Sequence, residues 1–107
     1  VIDAYPGCNS AANESGPERF YRLTLTETTP IRAMLFDREG VDVDLHLLSG
    51  GTTGAHCQAR HDRLIETTLG PGTYSFVVDS FTASGAVLSG EYTLVVMRCA
   101  SSDAACN

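Results

Sequence analysis

Two carboxylates and an imidazole stand in a row at Asp42, Asp44 and His46, inside the run VDVDLHLL at residues 41–48. Apolar Val41, Val43, Leu45 and Leu47 alternate with them. A period of two is that of a half-buried strand with one dry face and one wet face. On such a strand Asp42 and Asp44 point the same way, about 6.5–7 Å apart. Together with Asp79 they offer oxygen ligands of the kind calcium takes. The other reading is structural: Asp44 and Asp79 accept hydrogen bonds from loop amides or pair with arginine, and so fix the ends of the fold.

Further residues invite chemistry and mostly fail its requirements. Zinc would need His46, His56 and His61 to converge, each oriented by a hydrogen bond to its second nitrogen. Their spacing, with His56 and His61 sharing one loop, gives no such pattern. Acid–base work by Asp42 and Asp44 on a glycoside would need a cleft and one raised pKa, and a short strand face supplies neither. No G-x-S-x-G elbow appears. The chain is therefore expected not to be an enzyme. Arg60 and Arg63 flank Asp62 beside Cys57, either as the base of a charged loop or as part of a recognition surface. Tyr21, Tyr74 and Tyr92 lie on strands, where Tyr74 and Tyr92 face the core, so Tyr5 is the only tyrosine on a loop. The expected binding surface is His46, Arg60, Arg63 and Tyr5.

The elements that must position these residues are short strands. Alternation predicts strands at 19–26, 31–36, 41–48, 63–69, 73–79 and 91–99. Turn signals separate them: T-T-P at 28–30, D-R-E-G at 37–40 and G-P-G at 70–72. The inward sets are Tyr21, Leu23, Leu25; Ile31, Ala33, Leu35; Ile65, Thr67, Leu69; Tyr74, Phe76, Val78; and Tyr92, Leu94, Val96. Residues 49–62 read as one long loop, and 82–90 as a loop of small residues. No helical window appears. The fold class is all-β, an antiparallel β-sandwich of about six to eight short strands. Met34, Phe36, Val77, Val95 and Met97 are apolar on the outer positions. Either parts of both sheet faces are covered, or the domain packs on a neighbour.

At 107 residues the chain is one domain, 1–107, with a docking N-terminal arm at 1–18 and a tail at 100–107. Thirteen acids face seven arginines and no lysine, for a net charge of −6. That balance excludes nucleic acid as a partner, and no apolar run is long enough for membrane insertion. The sequence opens at Val1 without a charged-then-apolar leader, so a mature or excised piece is expected, any signal peptide being already gone or never included. Residues 13–15 match a glycosylation sequon at Asn13. Four cysteines with no C-x2-C pair indicate two disulfides and an oxidising compartment, not zinc. Of three connectivities, Cys8–Cys57 with Cys99–Cys106 is favoured: one ties down the arm and the other staples the tail. Cys8–Cys99 with Cys57–Cys106 is the rival.

Five motifs in order carry a family likeness: YRLTL at 21–25, DVDLHLL at 42–48, LGPGTY at 69–74, VVD at 77–79 and GEYTLVV at 90–96. Over about residues 18–97 the chain resembles the bacterial pre-peptidase C-terminal (PPC) domain. ESGPERF at 14–20 and CQARHD at 57–62 resemble a disulfide-bearing subgroup appended to secreted cell-wall amidases and peptidases. The resemblance implies a jelly-roll-like sandwich and a non-catalytic accessory domain of an extracellular hydrolase. Such a domain would target the enzyme to polymer or assist its secretion and folding. The implied partners are the parent hydrolase domain or an extracellular polymer (peptidoglycan, polysaccharide or protein fibre). The implied location is secreted, extracellular or at the cell surface. Related collagen-binding modules are calcium-stabilised. Here the arm's acids, Asp3, Glu14 and Glu18, are widely spread, so no cofactor is required and calcium at Asp42, Asp44 and Asp79 is the one candidate. The alternative function is a self-associating structural building block of an extracellular or cell-surface assembly, with Phe36, Val77, Val95 and Met97 as its contacts.

Overall fold

The computed structural model describes residues 5–8, 18–80, 82–83, 86–87 and 90–106. The Asn13 sequon, Asp3 and Glu14 lie outside them. The chain is an all-β sandwich of two antiparallel sheets. Its strands are β1 (Glu18–Leu25), β2 (Thr29–Asp37), β3 (Val43–Ser49), β4 (Cys57–His61), β5 (Leu64–Leu69), β6 (Gly72–Ser80), β7 (Thr82–Ala83), β8 (Ala86–Val87) and β9 (Tyr92–Arg98). One sheet has the order β1-β6-β3-β4 and the other β5-β2-β9. Strands β7 and β8 pair with each other inside the segment expected to be a loop. No helix among the described residues is long and apolar enough to cross a membrane.

The alternation in sequence builds the core directly. Ile31, Ala33 and Leu35 of β2, Ile65 and Leu69 of β5, Val43, Leu45 and Leu47 of β3, and Phe76 and Val78 of β6 fill the space between the sheets. Leu23, Leu25, Tyr74, Tyr92 and Leu94 pack around it, half-buried. Val96, expected inward, is exposed, because β9 is the edge of the three-stranded sheet. The D-R-E-G turn closes with the Val41 amide donating to the Arg38 carbonyl at 3.0 Å. Gly40 takes the left-handed conformation (φ 80°) that this turn requires.

Two expectations fail locally. The segment 49–62 is not one loop, since β4 forms within it and pairs with β3. Its sequence, CQARH, has no apolar alternation to reveal it, and a register shift between Leu47 and Leu48 displaces the pairing. The second failure concerns β3, which starts at Val43 and leaves Asp42 before the strand. From Val43 to Leu48 every residue is buried, so this strand has no wet face.

The cover over the second face of β3 is the N-terminal arm. Tyr5 packs with Leu48, Cys57 and Val77 in a second apolar cluster on the outer face of the four-stranded sheet. Val77, expected as an outer contact, is thereby buried. A short 3-10 turn at Pro6–Cys8 follows Tyr5, and Cys8 bonds to Cys57 at the start of β4. A Cβ on Gly7 would lie 2.5 Å from the Ala55 carbonyl oxygen and 2.6 Å from that of Cys57, so only glycine lets the arm come this close. At the other end Cys99 bonds to Cys106. The Thr68 hydroxyl donates to the Cys106 carbonyl at 2.6 Å, and Arg32 binds both Glu66 and Asp103. Two disulfides in so small a domain belong to an oxidising environment.

The two bridges differ in the length of chain they close. In the chain-entropy picture a 49-residue separation is worth about 4 kcal/mol and a 7-residue one about 2.5 kcal/mol. Replacing Cys8 and Cys57 by alanine is expected to lower Tm by roughly 10 °C or more, and by more than the Cys99→Ala/Cys106→Ala pair does. Calorimetry of the two double variants in one buffer checks the order.

Candidate functional site: a polar row roofed by Tyr5

Strand register brings together three acids that are far apart in sequence. Asp79 of β6 pairs across to Glu18 of β1 on one side and to Asp44 of β3 on the other. One step along, Val77 sits beside His46, and His46 beside Arg60 of β4. Side chains alternate along each strand, so all of these share the face turned away from the core. The result is a row Glu18–Asp79–Asp44, with His46 and Arg60 next to it.

The Tyr5 ring lies flat on the His46 ring, with centroids 3.5 Å apart and planes 11° from parallel. Its hydroxyl donates to Asp79 Oδ2 at 2.7 Å, and the Ser80 amide donates to Asp79 Oδ1 at 2.9 Å. Arg60 Nη2 donates to Asp44 Oδ2 at 2.8 Å. Tyr5, Asp44, His46 and Asp79 are all buried. Two sequence expectations are corrected here: His46 and Tyr5 belong to no exposed binding surface. The arm folds back as a lid and takes both rings out of water. The structural reading is the one the contacts match, with arginine on Asp44 and, on Asp79, the amide of Ser80 at the end of β6 where a loop amide was expected.

Burial decides the protonation of the row. Burial lowers the His46 pKa to about 4, so the ring is neutral, and neither of its nitrogens has a hydrogen-bond partner among the described residues. Burial also pushes the Asp79 carboxyl up to about 8, helped by Glu18, whose carboxyl hydrogen-bonds it. The Tyr5 and Ser80 hydrogen bonds pull the other way. A carboxyl beside Asp79 opposes the appearance of a negative charge there.

The remaining candidates are dispersed. Asp42 lines a shallow cleft with Asp37, Glu39, Asp62 and Arg63. Burial and then the charge of Asp44 raise its pKa. Among the described residues Asp42, Asp44 and Asp79 do not gather within 4.8 Å as one ligand set; the set that does is Cys99, Asp103 and Cys106, whose sulfurs are bonded to each other. The histidines also part company. His56 Nδ1 meets the Thr53 hydroxyl at 2.7 Å, while His61 Nδ1 accepts from the Arg63 and Leu64 amides in the turn between β4 and β5. Arg63 is exposed; Arg60 is partly so, its guanidinium held by Asp44 and, at 3.8 Å, by Asp62. Glu18 was not foreseen as a member of the row. Only the β1–β6 register places it there, and no local pattern encodes a pairing across about sixty residues. No family model, curated protein or solved structure matches this chain.

The two perturbed groups push stability in opposite directions with pH. Asp79 has a raised folded pKa, so its contribution is complete below about 4 and is lost as pH rises to about 8. His46 has a lowered one, so its contribution is present above 6.5 and is lost as pH falls to about 4. Between pH 6.5 and 8 only Asp79 still titrates of the two. Tm is therefore expected to fall across that interval, and Asp79→Asn, which cannot ionise, is expected to remove most of the fall. Melts of both proteins at half-unit pH steps check this. Tyr5→Ala is expected to cost about 3–5 kcal/mol in denaturant titration, as loss of a large buried aromatic does.

Proposed function

We propose that this chain is a non-catalytic accessory domain of a secreted hydrolase, holding the enzyme on extracellular polymer. The observation that carries the reading is the sealing of the reactive groups. Asp44, His46 and Asp79 are the residues best suited to acid–base work, and none of them reaches solvent. A buried row of this kind contributes to folding and leaves the exposed faces to make contacts. Two disulfides and an acidic, lysine-free composition suit an extracellular setting. The resemblance of the ordered motifs to those of PPC domains supports the same reading. The polymer is peptidoglycan, another polysaccharide or a protein fibre. Sedimentation of the chain with each of the three tests the reading. Co-sedimentation with one, and hydrolysis of none, is expected; turnover by this chain alone would overturn it.

A second reading has its own observation. The outer face of β5-β2-β9 carries Phe36 at 57% exposure and Met97 at 43%, beside exposed Leu64 and half-buried Met34 and Val95. Contiguous apolar surface of this kind marks a protein contact, as a building block of an extracellular assembly would need. Val77 takes no part, being under Tyr5. Light scattering on the eluting chain separates the two. A monomer supports the accessory domain. An oligomer that Phe36→Ser dissociates supports the building block.

A further inference from the structure

The Tyr5 lid covers the β3 half of the outer face, and none of the described residues covers the β1 half. There Phe20 and Arg22 stand two residues apart on β1, about 6.5–7 Å along the strand and pointing the same way. Arg22 pairs in register with Ser75 of β6. Two hollows meet at this place. One of about 450 Å³ is lined by Phe20, Arg22, Thr52 and Ser75. The other, of about 270 Å³, shares Arg22, Thr52 and Ser75 and adds Gly50, Gly51 and Thr73. The larger lies in the size range of small-ligand sites.

The charge of this groove is the reverse of the molecule's. The chain carries −6, yet among the described residues no carboxylate lines either hollow. Arg32, Arg38, Arg60 and Arg98 are each held by an acid. Arg22 has no ion pair among the described residues, so its guanidinium is free to take a ligand carboxylate through two parallel hydrogen bonds. Phe20, 44% exposed, offers a flat apolar ring beside it. Thr52, Thr73 and Ser75 add hydroxyls that both donate and accept. The hollows lie over the β1–β6 face, where the backbone of β6 is already paired with β1 on one side and β3 on the other, so a ligand seated there meets side chains and not a free strand edge. A pyranose fits each feature: its C–H face on Phe20, its hydroxyls on the threonines and serine, and an acid group on Arg22.

We propose that the Phe20–Arg22 groove binds a carboxylate-bearing sugar unit of an extracellular polysaccharide. The proposal rests on the accessory-domain reading and specifies its ligand. The test is calorimetric titration of the chain with oligogalacturonate, hyaluronan oligosaccharide and a muramic-acid-containing glycan, with methyl-esterified oligogalacturonate as the neutral control. Binding of at least one acidic glycan is expected. Where oligogalacturonate is the one bound, its ester is expected to bind roughly tenfold or more weakly. Arg22→Gln and Phe20→Ala are each expected to weaken binding of the acidic glycan by a similar factor. Both positions are exposed, so Tm is expected to stay close to that of the unmodified chain. Equal binding by Arg22→Gln, equal binding of acid and ester, or binding of none of the three glycans would overturn the site. Sedimentation distinguishes this from failure of the wider reading. If the chain and its Arg22→Gln variant sediment equally with a polymer, the groove is wrong and the accessory role stands. If the unmodified chain sediments with no polymer, both fall.

Discussion

The Tyr5 ring on the outer face of the four-stranded sheet is the contact on which the rest of the structure depends. Without it, β3 and β6 would each have one wet side, as their alternation suggests. With it, Val77, Leu48, His46, Asp44 and Asp79 become interior residues. Burying polar groups is costly unless they find partners. Here the Tyr5 hydroxyl donates to Asp79 Oδ2, Arg60 donates to Asp44 Oδ2, and Asp79 shares a hydrogen bond with Glu18. The residue that removes water is also one of the residues that replaces it. Cys8, three positions on, keeps the ring there by tying the arm to the start of β4.

Much of this was legible in the sequence, and the limits have physical causes. Period-two alternation identified six strands and most of the core, because side-chain direction in a strand is fixed by position alone. The favoured disulfide pairing is the one found. The pattern could not show that β3 is covered twice, since Asp44 and His46 look the same whether a lid or solvent lies over them. Strand β4 was silent because a bulge puts Cys57 on the outer face and Ala59 on the core side, so CQARH carries no period of two. The row itself depends on sheet order, with β6 between β1 and β3. That order is set by connections across the whole chain, and no local run records it.

The same sheet face is therefore divided in two. One half is closed and polar, with Tyr5 over it and both His46 nitrogens without a hydrogen-bond partner among the described residues. The other holds Phe20 and Arg22, both exposed and with none of the described residues over them. The opposite sheet shows its own apolar face at Phe36 and Met97. These open areas are separated by the edges of the sandwich, so a partner on one leaves the other free.

The composition of the covered row also bears on how the chain reaches this state. Tyr5 and Asp79 are 74 residues apart, so their contact forms only after β6 has been made and paired. Until the arm docks, the outer face of the nascent sheet presents acids, an imidazole and an arginine along much of its length. An apolar strip in that position would be a template for neighbouring chains during synthesis or export. A charged strip repels its own copies. The cost of burying carboxyl groups at the end is thus matched by protection against aggregation on the way.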